Sequence, residues 1–248
     1  MRLGRFVNAL LGRAGLVVRR ARTEHRFDAM PQVLQGLAET GFLPTVVVDV
    51  GANAGQWARL AREAFPAAHL HLVEPQRGLH DRLTQWGDQS GPVTLHAVAA
   101  TGPGVTSVRL AGGGAGDSTG AWVAGPAHEV PADVVPASTL DALIVPRLAE
   151  ADVVLLKLDV EGHELEVLVG ARALLARTAV VICEVTFYDV DHHGHPLVKD
   201  LVAALDASGF DLFDIAALAG RPRDGRLRSG DAVFVARSHA LAQDVRWA

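Results

Sequence analysis

The chain has 248 residues, 49% hydrophobic and 21% charged, which is length and apolar content enough for one large buried core. Its net charge is −5, yet seven arginines and a single acid fall in residues 1–26, so the remainder is strongly acidic; a broad basic face for a phosphate backbone is thereby excluded, and no nucleic-acid partner is expected. No stretch approaches the ~20 apolar residues of a membrane span, and the one cysteine, Cys183, excludes an internal disulfide and fits a reducing, cytoplasmic compartment.

Residues 1–30 read as a basic helical arm and residues 31–248 as one domain. The run LGRFVNALLGRAGLVV is broken by Gly12 and Arg13, and no A-x-A site follows, so it makes a poor signal peptide. Two readings of the arm stay open. Residues 1–22 could lie on an anionic membrane surface, or the arm could pack on the domain or on a second subunit. Leu10 and Leu11 give such an arm apolar surface for a homodimer.

Beyond the arm, apolar runs alternate with helical patterns, the signature of a doubly wound, mostly parallel sheet. Thr45–Val50 (TVVVDV) is β-branched and reads as a buried strand. Gln56–Ala64 has helical spacing, with Trp57, Leu60 and Ala64 on one face. A strand over His69–Pro75, a helix over Leu79–Trp86 and a strand over Val93–Ala100 follow. From Thr101 to Asp133 the alternation fails in segments dense in Gly, Pro and Ser, with one short strand over Ser107–Leu110. This region reads either as a surface insertion or as a loop over the active site. A helix begins at Ser138 or Thr139 as cap, with Asp141 in its first turn. Then come a strand over Val153–Val160, a helix over Leu165–Leu175, a strand over Ala179–Val185, and a helix over Leu197–Ser208 stopped by Gly209. Two last strands lie around Phe210 and Val233, one of them antiparallel. The sum is about seven strands in one sheet.

Ligands of open α/β sheets bind beyond the carboxyl ends of the strands. DVGANAG, Asp49 to Gly55, sits at that position after the first strand. Gly51 permits a sharp turn, Ala52 and Asn53 carry the loop across, and Gly55 lets the next helix approach. That helix's first N–H groups face a carboxylate, and Asp49 can position an ammonium, directly or through water. The pattern G-x-N-x-G lacks the central glycine that admits a pyrophosphate, which disfavours a nicotinamide-dependent oxidoreductase. It suits a nucleoside bearing an amino acid. Glu74 ends the second strand, where its two oxygens can accept both ribose hydroxyls.

Three stretches resemble the FkbM family of S-adenosylmethionine-dependent methyltransferases: VVVDVGANAGQWA with LVEP, STLDAL, and LLKLDVEGHELEVLVGARALL with VVICEV. They span Val46 to Val185. A weaker likeness covers Ser118 and Thr119. The resemblance implies a seven-stranded, Rossmann-like class I methyltransferase fold and S-adenosylmethionine as methyl donor. It implies mostly O-methylation, often of sugar hydroxyls in polysaccharides, glycolipids or natural products. By position it implies Asp49, Gly51, Ala52, Asn53, Gly55, Glu74 and Ser118 as the cofactor site.

DVEGHE carries the second constellation. Asp159 ends the fourth strand on the edge that holds Asp49 and Glu74, Gly162 turns the chain, and Glu161 and His163 flank the turn. Glu184 ends the fifth strand beside Asp159. A sugar hydroxyl needs its proton accepted, which a His or carboxylate provides for ~10²–10⁴-fold. Two versions are open: His163 as base oriented by Asp159 or Glu161, or Mg²⁺ held by Asp159 and Glu184 with a His taking the proton. Glu161 could instead only cap a helix. His192, His193 and His195 follow the fifth strand; their spacing is too loose for a convincing zinc site, and with Phe187 and Tyr188 they read as an acceptor loop or a solvated one. A non-catalytic cofactor-binding scaffold is the remaining alternative.

Overall fold

The computed structural model describes residues 26–112, 120–126, 128–189 and 194–244, with side chains from Met30 on. The expected Ser118, Thr119, His192 and His193, and the arm with Leu10 and Leu11, lie outside the described residues.

The strands, in chain order, are β1 (Val46–Val50), β2 (His69–Val73), β3 (Val93–His96), β4 (Ala99–Ala100), β5 (Ser107–Ala111), β6 (Trp122–Val123), β7 (Ala132–Ser138), β8 (Val154–Leu158), β9 (Thr178–Thr186), β10 (Phe210–Gly220) and β11 (Leu227–Ala236). Seven of them form one sheet in the order β10-β11-β9-β8-β1-β2-β3. All neighbours are parallel except β11, which runs antiparallel to both β9 and β10. The doubly wound, seven-stranded sheet read from the sequence is therefore present, with its one reversed strand.

Both faces are covered, which is why β1 and β8 are apolar at every position except Asp49 and Lys157. Val46, Val48 and Val50 face Leu140, Ile144, Val167, Leu174 and Leu201. Val47 faces the other way, toward Leu34, Leu37, Trp57, Ala58, Ala61 and Leu83. Each fully buried aliphatic side chain contributes about 1.5–3 kcal/mol. A single helix, Arg26–Glu39, crosses positions 30 and 31 and sets Met30 into the second of these cores. Among the described residues no helix is long and apolar enough to cross a membrane.

Three expectations need correction. The strand expected over Val93–Ala100 ends at His96: Val98 N–H turns back to the His96 carbonyl at 2.9 Å, and Ala99–Ala100 leaves for another sheet. The helix expected over Leu165–Leu175 is two helices, Glu164–Val169 and Arg172–Leu175. The break lies at Gly170, where a Cβ would stand 2.1 Å from the Thr101 carbonyl oxygen, so close backbone approach replaces a continuous helix. The Gly- and Pro-rich region after Thr101 carries the expected strand at Ser107–Ala111, and also a second sheet of four strands, β4-β7-β5-β6.

The β2–β3 edge of the sheet contains a histidine ladder. His71 Nδ1 lies 3.0 Å from His96 Nε2, and His71 stacks on His69 with ring centroids 4.5 Å apart. Burial, then the neighbouring imidazoles and Arg147, hold His71 down at about 3, against 6.5 unperturbed. Because the folded value is the lower one, this contribution to stability is complete above pH 6.5 and is lost as pH falls toward 3, costing about 2 kcal/mol by pH 5. Glu164, buried and pushed up to about 7, acts with the opposite sign: its penalty relaxes as pH falls from about 7 toward 4.5. Urea unfolding at pH 7 and pH 5 should therefore show a larger acid loss in the native chain than in His71→Leu; equal losses would remove the ladder's role.

Candidate active site

The cleft opens at the carboxyl ends of β1, β2 and β8 and has a volume of about 320 Å³. The β1 loop forms its floor. Gly51 has φ +77°, and a Cβ there would stand 1.9 Å from the Asp159 carbonyl oxygen, so only glycine lets β1 and β8 end side by side. Asn53 also takes a left-handed conformation, φ 48°, held by its own side chain accepting from Ala54 N–H at 2.6 Å. Such non-glycine positions cost about 1–3 kcal/mol and gather at sites. Gly55, φ +80°, caps the Gln56–Ala64 helix and packs toward Leu83, away from the cleft lining.

Glu74 closes the loop from β2. One carboxylate oxygen accepts Asn53 N–H at 2.7 Å and the other accepts Gln76 N–H at 2.8 Å. Burial pushes its carboxyl up, and those two amides pull it back toward the anion. Each oxygen keeps a lone-pair direction for a ligand hydroxyl, and Glu74 lines the cleft with Gly51, Ala52 and Asn53.

Asp49, expected to position an ammonium directly or through water, lies next to last in β1, beneath the loop. It is fully buried under the loop and is absent from the cleft wall. Its partner is Lys157, whose Nζ lies 3.1 Å from Asp49, 3.3 Å from Asp159 and 3.2 Å from the Gly51 carbonyl oxygen. Burial raises the Asp49 carboxyl, and the Lys157 ammonium opposes that rise. Lys157 thus ties the loop after β1 to Asp159 at the end of β8. Sequence reading missed it because a lysine within VVLLKLDV resembles one polar interruption of a strand.

The cavity residues fit a nucleoside bearing an amino acid. Glu74 suits a ribose diol. Trp57 lines the cleft, and its buried indole N–H has no hydrogen-bond partner among the described residues, so it offers a donor to a ligand carboxylate. The β4–β7 region covers the opening: Ala99, Ala100, Leu110, Ala121 and Val123 supply an apolar wall.

Beyond the end of β8, Asp159, Glu161 and His163 line the cleft, joined by Asp231 from β11. Glu161 and Gly162 are both left-handed, φ 50° and 97°, which makes the tight turn. Glu164 holds that turn from inside, accepting Val160 and Gly162 N–H groups at 3.2 Å each. Oxygens of Asp159, Glu161 and Glu184 come within 4.8 Å of one another, all three half-buried. Glu184 stands outside the cleft lining, on β9 across from Asp231. The pair expected to hold a divalent ion is thus joined by Glu161. His163 Nε2 is 3.0 Å from the Thr101 hydroxyl, and burial lowers its pKa, which favours neutral imidazole. His195 packs on the same turn, since a Cβ on Gly162 would stand 2.5 Å from its ring.

A parallel sheet with one reversed strand near its edge, a Gly-x-x-x-Gly loop after β1 and an acid ending β2 define a class I methyltransferase. The sequence model of the methyltransferase FkbM domain matches residues 49–212, about two thirds of the chain, and the chain belongs to that family. No curated protein matches it. Similar solved structures include the magnesium protoporphyrin IX methyltransferase of Synechocystis with bound S-adenosylmethionine, at 12% identity over 94% of this chain and 96% of that one, TM-score 0.49. Another is an N-methyltransferase of Bradyrhizobium japonicum with S-adenosylhomocysteine, at 9% identity over 92% and 97%, TM-score 0.49. A third is the 1,6-didemethyltoxoflavin N1-methyltransferase of Burkholderia thailandensis, at 15% identity over 86% and 79%, TM-score 0.47.

Proposed function

We propose that this methyltransferase acts on a hydroxyl group of a sugar, in an oligosaccharide, a polysaccharide, a glycolipid or a glycosylated natural product. S-adenosylmethionine supplies an electrophilic methyl group on a good leaving group. The chain's own residues must therefore position the acceptor and take its proton. Support comes above all from the carboxylates of Asp159, Glu161 and Glu184 gathered at the acceptor side, where a poor nucleophile needs activation. The cofactor is held by Gly51 to Asn53, by Glu74 on its ribose, and by Trp57 with the helix N-terminus on its carboxylate, with Ser118 as a further contact; Asp49 and Gly55 shape the loop.

The donor set of three carboxylates suits Mg²⁺, a hard cation that prefers oxygen ligands and keeps its waters. Held there, the ion would lower the pKa of an acceptor hydroxyl, and His163 would take the proton. Removal of divalent ions by EDTA should cut turnover about 100-fold or more, and Mg²⁺ should restore it. In this version Asp159→Asn and Glu184→Gln raise the Mg²⁺ requirement. Turnover indifferent to EDTA would leave His163 as base without a metal, and His163→Ala then costs ~10²–10⁴-fold in kcat. Turnover unchanged in all of these variants, measured on a verified acceptor, would overturn the acceptor-side assignment altogether.

This reading takes residues 31–248 as the catalytic domain, acting in the cytoplasm as a homodimer. The arginines of residues 1–22 would meet an anionic membrane surface, as suits a lipid-linked acceptor.

A further inference from the structure

β10 ends the seven-stranded sheet, and among the described residues no strand pairs with its outer edge, while the helix Arg26–Glu39 packs against the strand. Edge strands are usually short, charged or covered, because an open apolar edge invites association. This one is 11 residues long. Leu212, Phe213, Ile215 and Leu218 on it are 41–46% exposed. Together with Leu227 they are half of the exposed large apolar side chains among the described residues. Grouping on one element is the feature that distinguishes a contact surface from scattered surface leucines.

Charge is segregated along the β10–β11 hairpin and the chain leading into it. Asp211 and Asp214 lie in the first half of β10 and Asp206 at the end of the helix before it, and Arg237 pairs with Asp206 and Asp211. The turn after β10 carries Arg221, Arg223 and Arg226, and the start of β11 carries Arg228; Asp224 pairs with Arg221, and Arg221 and Arg226 lie over the Tyr188 ring. The β10–β11 hairpin thus carries acids in the first half of β10, Asp214 among the apolar side chains, and arginines at its turn.

We infer that β10 is the homodimer interface and that its occupant is the β10 of a second copy, running antiparallel about a two-fold axis near the strand's middle. A two-fold contact is self-complementary: one patch meets itself. Antiparallel crossing sets the acids in the first half of β10 of each copy against the arginine-bearing turn of the other, whereas a parallel approach would oppose like charges. The apolar middle then buries Leu212, Phe213, Ile215 and Leu218 from both copies. Register shifts between Leu212 and Asp214, Ile215 and Ala217, and Ala219 and Gly220 bend the strand away from a regular ladder. Side chains, more than a continued sheet, therefore carry the contact. The inference deepens the dimer reading above and is independent of the chemistry in the cleft.

Size-exclusion chromatography with light scattering on the full chain should give twice the 26.2 kDa monomer mass. The variant Leu212→Glu/Ile215→Glu should run as monomer, its dimer dissociation constant raised about 100-fold or more, with unchanged affinity for S-adenosylhomocysteine as proof of fold. A chain lacking residues 1–25 should remain dimeric. A monomeric native chain would sink both the dimer and this surface. A double variant that stays dimeric, or dimerisation lost with residues 1–25 while that variant keeps it, would overturn the assignment to β10 alone.

Discussion

Glu74→Ala is expected to weaken S-adenosylhomocysteine binding about 100-fold or more by calorimetry. Two terms add. The ribose loses two hydrogen bonds to an ionised acceptor, each worth about 1.5–3 kcal/mol when buried, and about 3 kcal/mol in total is a factor near 100. The loop also loses its clamp, because Asn53 and Gln76 N–H groups are left without the carboxylate oxygens that they now reach at 2.7 and 2.8 Å. Glu74→Gln separates the two terms. It keeps the volume and one acceptor, but its amide nitrogen meets a backbone N–H, donor against donor. An intermediate loss of roughly tenfold follows if each oxygen contributes comparably. Thermal unfolding without ligand reports the clamp alone. If Glu74→Ala bound S-adenosylhomocysteine as tightly as the native chain, the ribose assignment would be wrong.

That Glu74 could be found in the sequence, while Lys157 could not, has a physical reason. Glu74 ends an apolar strand and is followed by Pro75, so the run HLHLVEP itself marks a carboxylate at a sheet edge. Strand β1 is equally legible: five buried positions in a row leave only a central parallel strand as their home. Lys157 acquires its role from two residues on other segments, Asp49 and the Gly51 carbonyl, 108 and 106 positions away, and no local pattern encodes that meeting. The same holds for Glu164, whose carboxylate lies inside the turn that it stabilises and reads in sequence as one more acid of DVEGHE. The second sheet escaped for a different reason. Its β7, ADVVPAS, is largely solvent-facing and contains Pro136, so it lacks the buried alternation that announces a strand. The edge strand β10 was legible as a strand but not as a surface, since FDLFDIAALAG looks as apolar as a core strand until its neighbours are known.

Lys157→Met is expected to cost about 3–5 kcal/mol of folding stability, the usual penalty for leaving one member of a buried ion pair without its counter-charge. Asp49 is the reason. It is fully buried, and the Lys157 ammonium is what opposes its desolvation. Without that ammonium the Asp49 carboxyl would take up a proton, and the strand ends of β1 and β8 would lose the link through the Gly51 carbonyl. The double variant Asp49→Asn/Lys157→Met removes both charges, so urea unfolding should recover most of the lost stability, as neutral replacement of a buried pair commonly does. Its turnover should stay low, because Asp159, 3.3 Å from Nζ in the native chain, no longer has the cation that fixes its carboxylate beside Glu161 and Glu184. A purely structural lysine would give the opposite second result: stability and turnover would return together. Lys157→Met as stable as the native chain would instead show that the Asp49 charge is compensated elsewhere. The contrast between recovered folding and unrecovered turnover is therefore what assigns Lys157 to positioning the acceptor edge as well as to closing the cofactor loop.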